Sequence, residues 1–197
     1  PLPTRVFVTG SLILMCALAT GWYMKDNRLK AADFGVSWQD WRQHAFEALK
    51  LSLPVMVGVV VLKGWMLNLR GESDQALFQP GLAFEHFSWP LFAAVLMATV
   101  ILSLAQEFVV RSGIQGSLQI FYSEDRFSFP WQPIVVSNLL FAATYAHLSP
   151  LWAAAVFFPG LFWGWLFARQ HSLVGVSVSH TLISIWAMLV VGFPTSL

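Results

Sequence analysis

The sequence predicts an all-α, polytopic membrane helix bundle, and three observations lead to that fold class. Of the 197 residues, 57% are hydrophobic and 11% are charged, whereas a soluble domain has about 25% charged residues. Apolar runs long enough to cross a bilayer recur along the chain, separated by polar connections. The few ionisable residues inside these runs recur at helical spacing. We therefore expect about six transmembrane helices and one amphipathic helix at the membrane surface.

The N-terminal region, residues 1–87, is predicted to contain two spans and the amphipathic helix. Tryptophans and alanines recur on one face of that helix, and polar residues lie largely on the other. His44 within it is interpreted as a solvated surface histidine, and Lys63 near the end of the second span is expected to extend to the interface. The predicted bounds are 6–24 for the first span, 38–49 for the amphipathic helix and 50–67 for the second span.

The C-terminal region, residues 88–197, is predicted to form a four-helix core. Its first helix is long, because a stripe of polar residues continues at helical spacing as far as Gln119. Polar or proline-containing connections separate the later helices. The predicted spans are 88–121, 132–148, 151–168 and 173–193.

The distribution of basic residues predicts the orientation. Eight of the eleven Lys and Arg residues fall on the side of the first, third and fifth connections, and the positive-inside rule puts that side in the cytoplasm. We therefore predict a bacterial plasma (inner) membrane protein with both termini of this chain on the non-cytoplasmic side. The chain begins at Pro1 rather than at methionine, as a piece of a longer protein would.

Composition also excludes several classes of site. The formal net charge of +1 offers no basic patch for a nucleic-acid backbone, so we expect no nucleic-acid partner. The single cysteine, Cys16, excludes an intrachain disulfide framework and a cysteine-based zinc site. Membrane lipid is the partner that the composition implies.

A polar stripe in the third span is the strongest functional signal. It consists of Ser103, Glu107, Arg111, Gln115 and Gln119, each four residues after the last, so they share one helix face. An ionisable residue inside a membrane costs at least ~2.5 kcal/mol and usually marks function. From this helix alone, a functional site and a structural Glu107–Arg111 ion pair both stay open.

Two later spans add imidazoles. His147 lies near the end of the fourth span, and His180 lies in the sixth, with Ser177 and Ser184 on its face. A carboxylate and two imidazoles can activate water and stabilise an oxyanion. The same groups, Glu107, His147 and His180, are also able to ligate a divalent metal such as zinc or to relay protons through a transporter.

These motifs resemble the CPBP family of intramembrane proteases, which includes CAAX prenyl proteases and bacteriocin-processing (Abi) proteins. The resemblance rests on Gln106-Glu107-x-x-x-Arg111, on the run from Phe141 to His147, and on His180, and it covers about 90–192. It implies a peptide or protein substrate that is cleaved near a membrane-proximal terminus.

The resemblance also implies a role for each matching residue. It places Glu107 at the second carboxylate of the family's glutamate pair and Arg111 at its arginine. A glutamate and His147 would activate the water, and His180, with a polar residue at Ser184, would support the oxyanion. Members are often called metalloproteases, although a metal-independent glutamate mechanism is the better supported.

The sequence departs from the family pattern at three positions, and at one of them Ala143 stands where the second motif usually has Phe. Gln106 replaces the first glutamate, and an amide is not a useful proton acceptor. Ser184 replaces the usual Asn or Asp. Glu107 is then the base of a variant enzyme, or Gln106 is an introduced inactivating change, or the protein is a non-catalytic relative.

The favoured interpretation is an intramembrane glutamate-type endopeptidase. In it, Glu107 with His147 activates the water and His180 supports the oxyanion. The alternative is a catalytically inactive membrane scaffold or immunity protein. A small proton-coupled transporter is disfavoured, because the two halves of the chain show no inverted repeat.

Overall fold

Six helices and one short 3-10 turn make up the described part of the chain. The computed structural model describes residues 2–72, 74–79, 88–122, 129–146 and 150–192, without the side chains of 2–9, 151 and 152. No strand occurs within these ranges, which confirms the all-α class. The helices are α1 Leu2–Asp26, α2 Trp41–Leu69, α3 Trp89–Phe121, α4 Trp131–Ala143, α5 Pro150–Gln170 and α6 Leu173–Val190. The 3-10 turn is Ala31–Phe34.

Three of these helices are long and apolar enough to cross a membrane. They are α2, α3 and α6, and α4 is a shorter apolar helix. The helical membrane bundle predicted from composition is therefore confirmed as a class of fold. The count of six spans stays a prediction for the other three helices, as does the division of the chain at residue 88.

The amphipathic segment 38–49 does not form a helix of its own. It merges with the predicted second span into α2, which begins at Trp41 and continues through Pro54. With 29 residues, α2 is about 44 Å long at about 1.5 Å per residue, which exceeds a bilayer core of about 30 Å. The first turns of α2 pack beside the start of α6, where a Cβ on Gly175 would lie 3.0 Å from His44 O.

α2 and α6 run parallel to one another. Ser52 Oγ and Ser179 Oγ lie 2.7 Å apart in their first halves, and Lys63 Nζ donates to Val191 O at 2.7 Å near their ends. The sequence analysis predicted that Lys63 extends to the interface, but its side chain is buried. It caps the end of α6 instead, where carbonyl groups lack helical partners and a cation is favoured.

The apolar core lies between α2, α5 and α6. Trp163 and Phe167 from α5 pack against Val176 and Ile183 from α6, with Met56 of α2 at their edge. Trp163 is also next to the polar site, so the apolar core fixes the position of a residue that contacts the predicted histidine.

Candidate active site

The candidate site begins where α3 changes its winding. From Phe108 to Gln115, α3 is a π-helix, in which each hydrogen bond spans five residues instead of four. Such segments are rare and frequently mark functional sites. Glu107 is the last residue before the change, and Arg111 lies inside it.

Glu107 is the centre of a buried ion network. Its side chain is 2% exposed, and its Oε2 accepts a hydrogen bond from Arg111 Nε at 2.9 Å. Its Oε1 lies 2.6 Å from His180 Nδ1 on α6. The predicted pairing of Glu107 with Arg111 is therefore present, and His180 joins the same carboxylate. Both oxygens of this buried charge have partners, as a charge out of water requires.

Arg111 connects this carboxylate to α5. It is fully buried and also donates from Nη2 to Gly160 O at 2.9 Å and from Nη1 to Gln115 Oε1 at 3.1 Å. Gln115 in turn donates from Nε2 to Gly164 O at 2.9 Å. Residue numbers increase in the same direction along both helices from one contact to the next, so α3 and α5 are parallel.

Two glycines of α5 make this close approach feasible. A Cβ on Gly164 would lie 3.1 Å from Arg111 Nη1, and a Cβ on Gly160 would overlap with Asn138 Oδ1 of α4. Gly160 and Gly164 form a Gly-x-x-x-Gly pattern, which lets membrane helices pack at short distance. The sequence analysis did not use this pattern, although small residues four apart were visible in the fifth span.

His180 has a fixed ring orientation. The imidazole stacks on the indole of Trp163, with ring centroids 3.9 Å apart and an angle of 16° between the planes. Trp163 Nε1 donates to Ser179 Oγ at 3.2 Å, which holds the indole in place. With Nδ1 directed at Glu107, Nε2 is the nitrogen left for proton transfer. A carboxylate behind an imidazole selects its tautomer and stabilises its protonated form.

Gln106 has a different neighbour. Its Nε2 donates to Tyr145 Oη at 2.8 Å, and the Tyr145 ring packs edge-on against Phe141. Tyr145 follows the end of α4, and the sequence analysis did not assign it a role. The sequence signal that could have identified Tyr145 is its position two residues before His147. Neither Gln106 nor Tyr145 carries a charge, so they extend the site as hydrogen-bonding groups.

The two remaining predicted site residues differ in what the structure says of them. His147 lies outside the described residues. Ser184 is half-buried on α6, one turn after His180, and no hydrogen bond joins it to Glu107 or His180. The ion network that the structure assembles therefore contains Glu107, Arg111 and His180 from the predicted set.

The zinc alternative that the sequence analysis left open can be tested on the same pair. Two tetrahedral zinc ligands at ~2.0–2.1 Å from the ion would lie about 3.3 Å apart, whereas Glu107 Oε1 and His180 Nδ1 are 2.6 Å apart and hydrogen-bonded to each other. Nowhere in the described ranges do three or more His, Cys, Asp or Glu side chains form a group that could hold a metal. As placed, this pair does not fit a shared zinc ion.

Comparison with known proteins agrees with the resemblance. A family model described as "Type II CAAX prenyl endopeptidase Rce1-like" matches residues 88–186, just over half of the chain. No curated protein and no solved structure matches the chain. The matched region contains α3, α4, α5 and most of α6, and with them the whole ion network. The chain therefore belongs to the Rce1-like family of type II CAAX prenyl endopeptidases.

Proposed function

We propose that this chain is an intramembrane endopeptidase whose water is activated at the Glu107–His180 pair. The observation that carries the proposal is the 2.6 Å contact between the buried carboxylate and the imidazole. The family implies a CAAX protease-type endopeptidase in the membrane, with a peptide or protein as substrate.

The geometry favours a specific path for the proton. Glu107 accepts the Nδ1 proton of neutral His180, so the lone pair of Nε2 is free to take a proton from water. The resulting hydroxide attacks the carbonyl carbon, and Glu107 stabilises the imidazolium. His180 then returns the proton to the amide nitrogen as the C–N bond breaks. Arg111 compensates the negative charge of Glu107 throughout.

This path divides the roles differently from the family resemblance. The resemblance gives the base role to a glutamate with His147 and the oxyanion role to His180. Both oxygens of Glu107 already have partners, which favours Glu107 as the group that orients His180. The oxyanion donor is then His147, with the neutral Gln106 and Ser184 as further hydrogen-bonding candidates near the substrate.

A second candidate function has a specific observation in its favour. Gln106 occupies the position of the family's first glutamate, and its amide donates a hydrogen bond to Tyr145. The Glu107–Arg111 pair is then a structural ion pair in a non-catalytic scaffold or immunity protein, which binds a partner helix or peptide.

Cleavage of an internally quenched peptide library by the purified chain, with and without a chelator, distinguishes the two functions. His180→Gln should lower the rate by about 10²–10⁴, the usual contribution of a general base, and Glu107→Gln should lower it by about 10⁴, as loss of the carboxylate that orients a catalytic histidine does. Glu72→Gln, an identical change in the loop after α2, should cleave at the wild-type rate. Undiminished cleavage by Glu107→Gln would refute the endopeptidase proposal as written. Activity that appears only in Gln106→Glu would establish the inactive relative.

A further inference from the structure

A cavity lies away from the ion network, between the first turns of α2 and the end of α5. Its volume is about 660 Å³, within the range of about 300–1,000 Å³ that is typical of ligand pockets. It is lined by Gln43, His44, Phe46, Glu47, Lys50, Arg169 and Gln170. Nothing in the proposed cleavage reaction uses these residues.

The cavity is at the level of the membrane surface. α2 is longer than the hydrocarbon is thick, and its first turns carry the exposed Trp41, which follows the exposed Trp38. Tryptophan is enriched where lipid headgroups meet the hydrocarbon. The first and fifth connections both end beside this cavity. The sequence analysis predicts from the distribution of Lys and Arg that these connections are cytoplasmic, so we expect the cavity to be on the cytoplasmic side.

The charges around the cavity favour an anion. Arg169 donates from Nε to Glu47 Oε1 at 2.8 Å, and Gln170 donates to Glu47 Oε2 at 2.9 Å. Glu47 is thereby satisfied, while the terminal Nη groups of the half-exposed Arg169 can reach another acceptor. Lys50 has no carboxylate partner among the described residues, and its Nζ lies 4.2 Å from the centre of the Phe46 ring. The cavity therefore has one uncompensated positive charge and a guanidinium with free donors.

His44 also lines the cavity. The sequence analysis interpreted it as solvated, but it is half-buried, and its Nδ1 is buried without a hydrogen-bond partner. A buried polar atom without a partner is uncommon. Because this nitrogen is enclosed by the protein, a group in the cavity does not reach it, and the phosphate site rests on Lys50 and Arg169.

We infer that this cavity binds the phosphate group of an anionic phospholipid headgroup. Ammonium and guanidinium groups are the side chains that bind phosphate in proteins. Basic pockets between membrane helices on the cytoplasmic side bind anionic headgroups. Inorganic phosphate has the same chemistry, and the experiment separates the two sources. The inference does not depend on whether the chain cleaves peptides.

Native mass spectrometry of the full chain in detergent tests the site with three probes: phosphatidylglycerol, phosphatidylcholine and inorganic phosphate. Phosphatidylglycerol should bind more tightly than phosphatidylcholine. The double variant Lys50→Gln/Arg169→Gln should weaken its binding by about 30-fold, which corresponds to about 1 kcal/mol for each cationic side chain. Lys50→Gln alone should weaken it by about fivefold, and this variant leaves the Arg169–Glu47 contact intact.

The control is Lys25→Gln, which removes the same charge at the end of α1, on the same predicted side but outside the cavity. It should bind phosphatidylglycerol as the wild type does. If inorganic phosphate displaces the lipid and Lys50→Gln weakens phosphate binding by the same factor, the cavity binds phosphate. Its ligand is then a phosphate in solution rather than a lipid headgroup. Equal losses in Lys25→Gln and Lys50→Gln, or equal binding of the two lipids, would overturn the inference.

Discussion

Replacing Arg111 with methionine should destabilise the protein more than any other single loss of charge in the bundle. Arg111 is fully buried and donates hydrogen bonds to Glu107, Gln115 and Gly160 O. Methionine fills similar space without charge, so His180 becomes the remaining partner of the Glu107 carboxylate. Removing one partner of a buried pair costs about 3–5 kcal/mol, because the other charge stays buried without compensation.

A double variant separates this charge effect from lost packing. Glu107→Gln/Arg111→Met removes both charges, so its cost should fall short of the sum of the Glu107→Gln and Arg111→Met costs by about 0.5–3 kcal/mol, the usual coupling of groups in contact. Unfolding of the purified proteins by SDS in mixed micelles, followed by circular dichroism, gives each free energy of unfolding.

The control for this cycle is Arg169→Met. Arg169 also pairs with a carboxylate, Glu47, at 2.8 Å, but its side chain is 55% exposed. Exposed pairs contribute about 0–1 kcal/mol, so this variant should unfold close to the wild type. A cost below about 1 kcal/mol for Arg111→Met, or a double variant whose cost equals the sum of the single ones, would refute the buried ion network as a source of stability.

Three other changes test the α4–α5 contact, the cap on α6 and the hydrogen bond to Tyr145. Gly160→Ala should lower the unfolding free energy by about 1–3 kcal/mol, because the added Cβ would overlap with Asn138. The control is Gly58→Ala, since a Cβ there would have no atom within 4 Å. It should be neutral or stabilising by up to about 1 kcal/mol in thermal unfolding. Equal effects of the two would contradict the tight α4–α5 contact. Lys63→Met should lower the unfolding free energy by up to about 2 kcal/mol through loss of the cap on α6, and an unchanged value would show that the cap is dispensable. Tyr145→Phe should reduce peptide cleavage by up to about tenfold, since it removes one hydrogen bond of about 0.5–1.5 kcal/mol. An unchanged rate would remove Tyr145 from the site.

The fold class and the Glu107–Arg111 contact were predictable because both depend on local pattern. Hydropathy reports membrane-spanning length directly, and a four-residue spacing on a helix brings two side chains together whatever surrounds them. His180 was predicted as a site residue. Its contact with Glu107, 73 residues away in the chain, depends on the tilt and depth of two helices, which spacing does not contain.

The bounds of α2 were not predictable for a different reason. An apolar stripe on residues 41–49 is expected both for a helix on the membrane surface and for the end of a long helix that packs against a neighbour. Contacts with the end of α5 decide between them, such as the bond from Gln170 Nε2 to His44 O. The burial of Lys63 has the same origin, because its acceptors lie at the far end of α6.

The π-helical segment explains how one polar stripe contacts two helices. Four residues exceed one turn of an α-helix by about 40°, so regular winding would move Glu107, Arg111 and Gln115 progressively around the axis in one direction. A π-helix has wider turns, so four residues fall short of a full turn and the later side chains move around the axis in the opposite direction. Glu107, before the change, reaches His180 on α6, while Arg111 and Gln115, within it, reach the carbonyls of α5. The guanidinium can therefore hold the carboxylate and anchor α5 at once, so the change in winding links the position of His180 to the packing of α3 on α5.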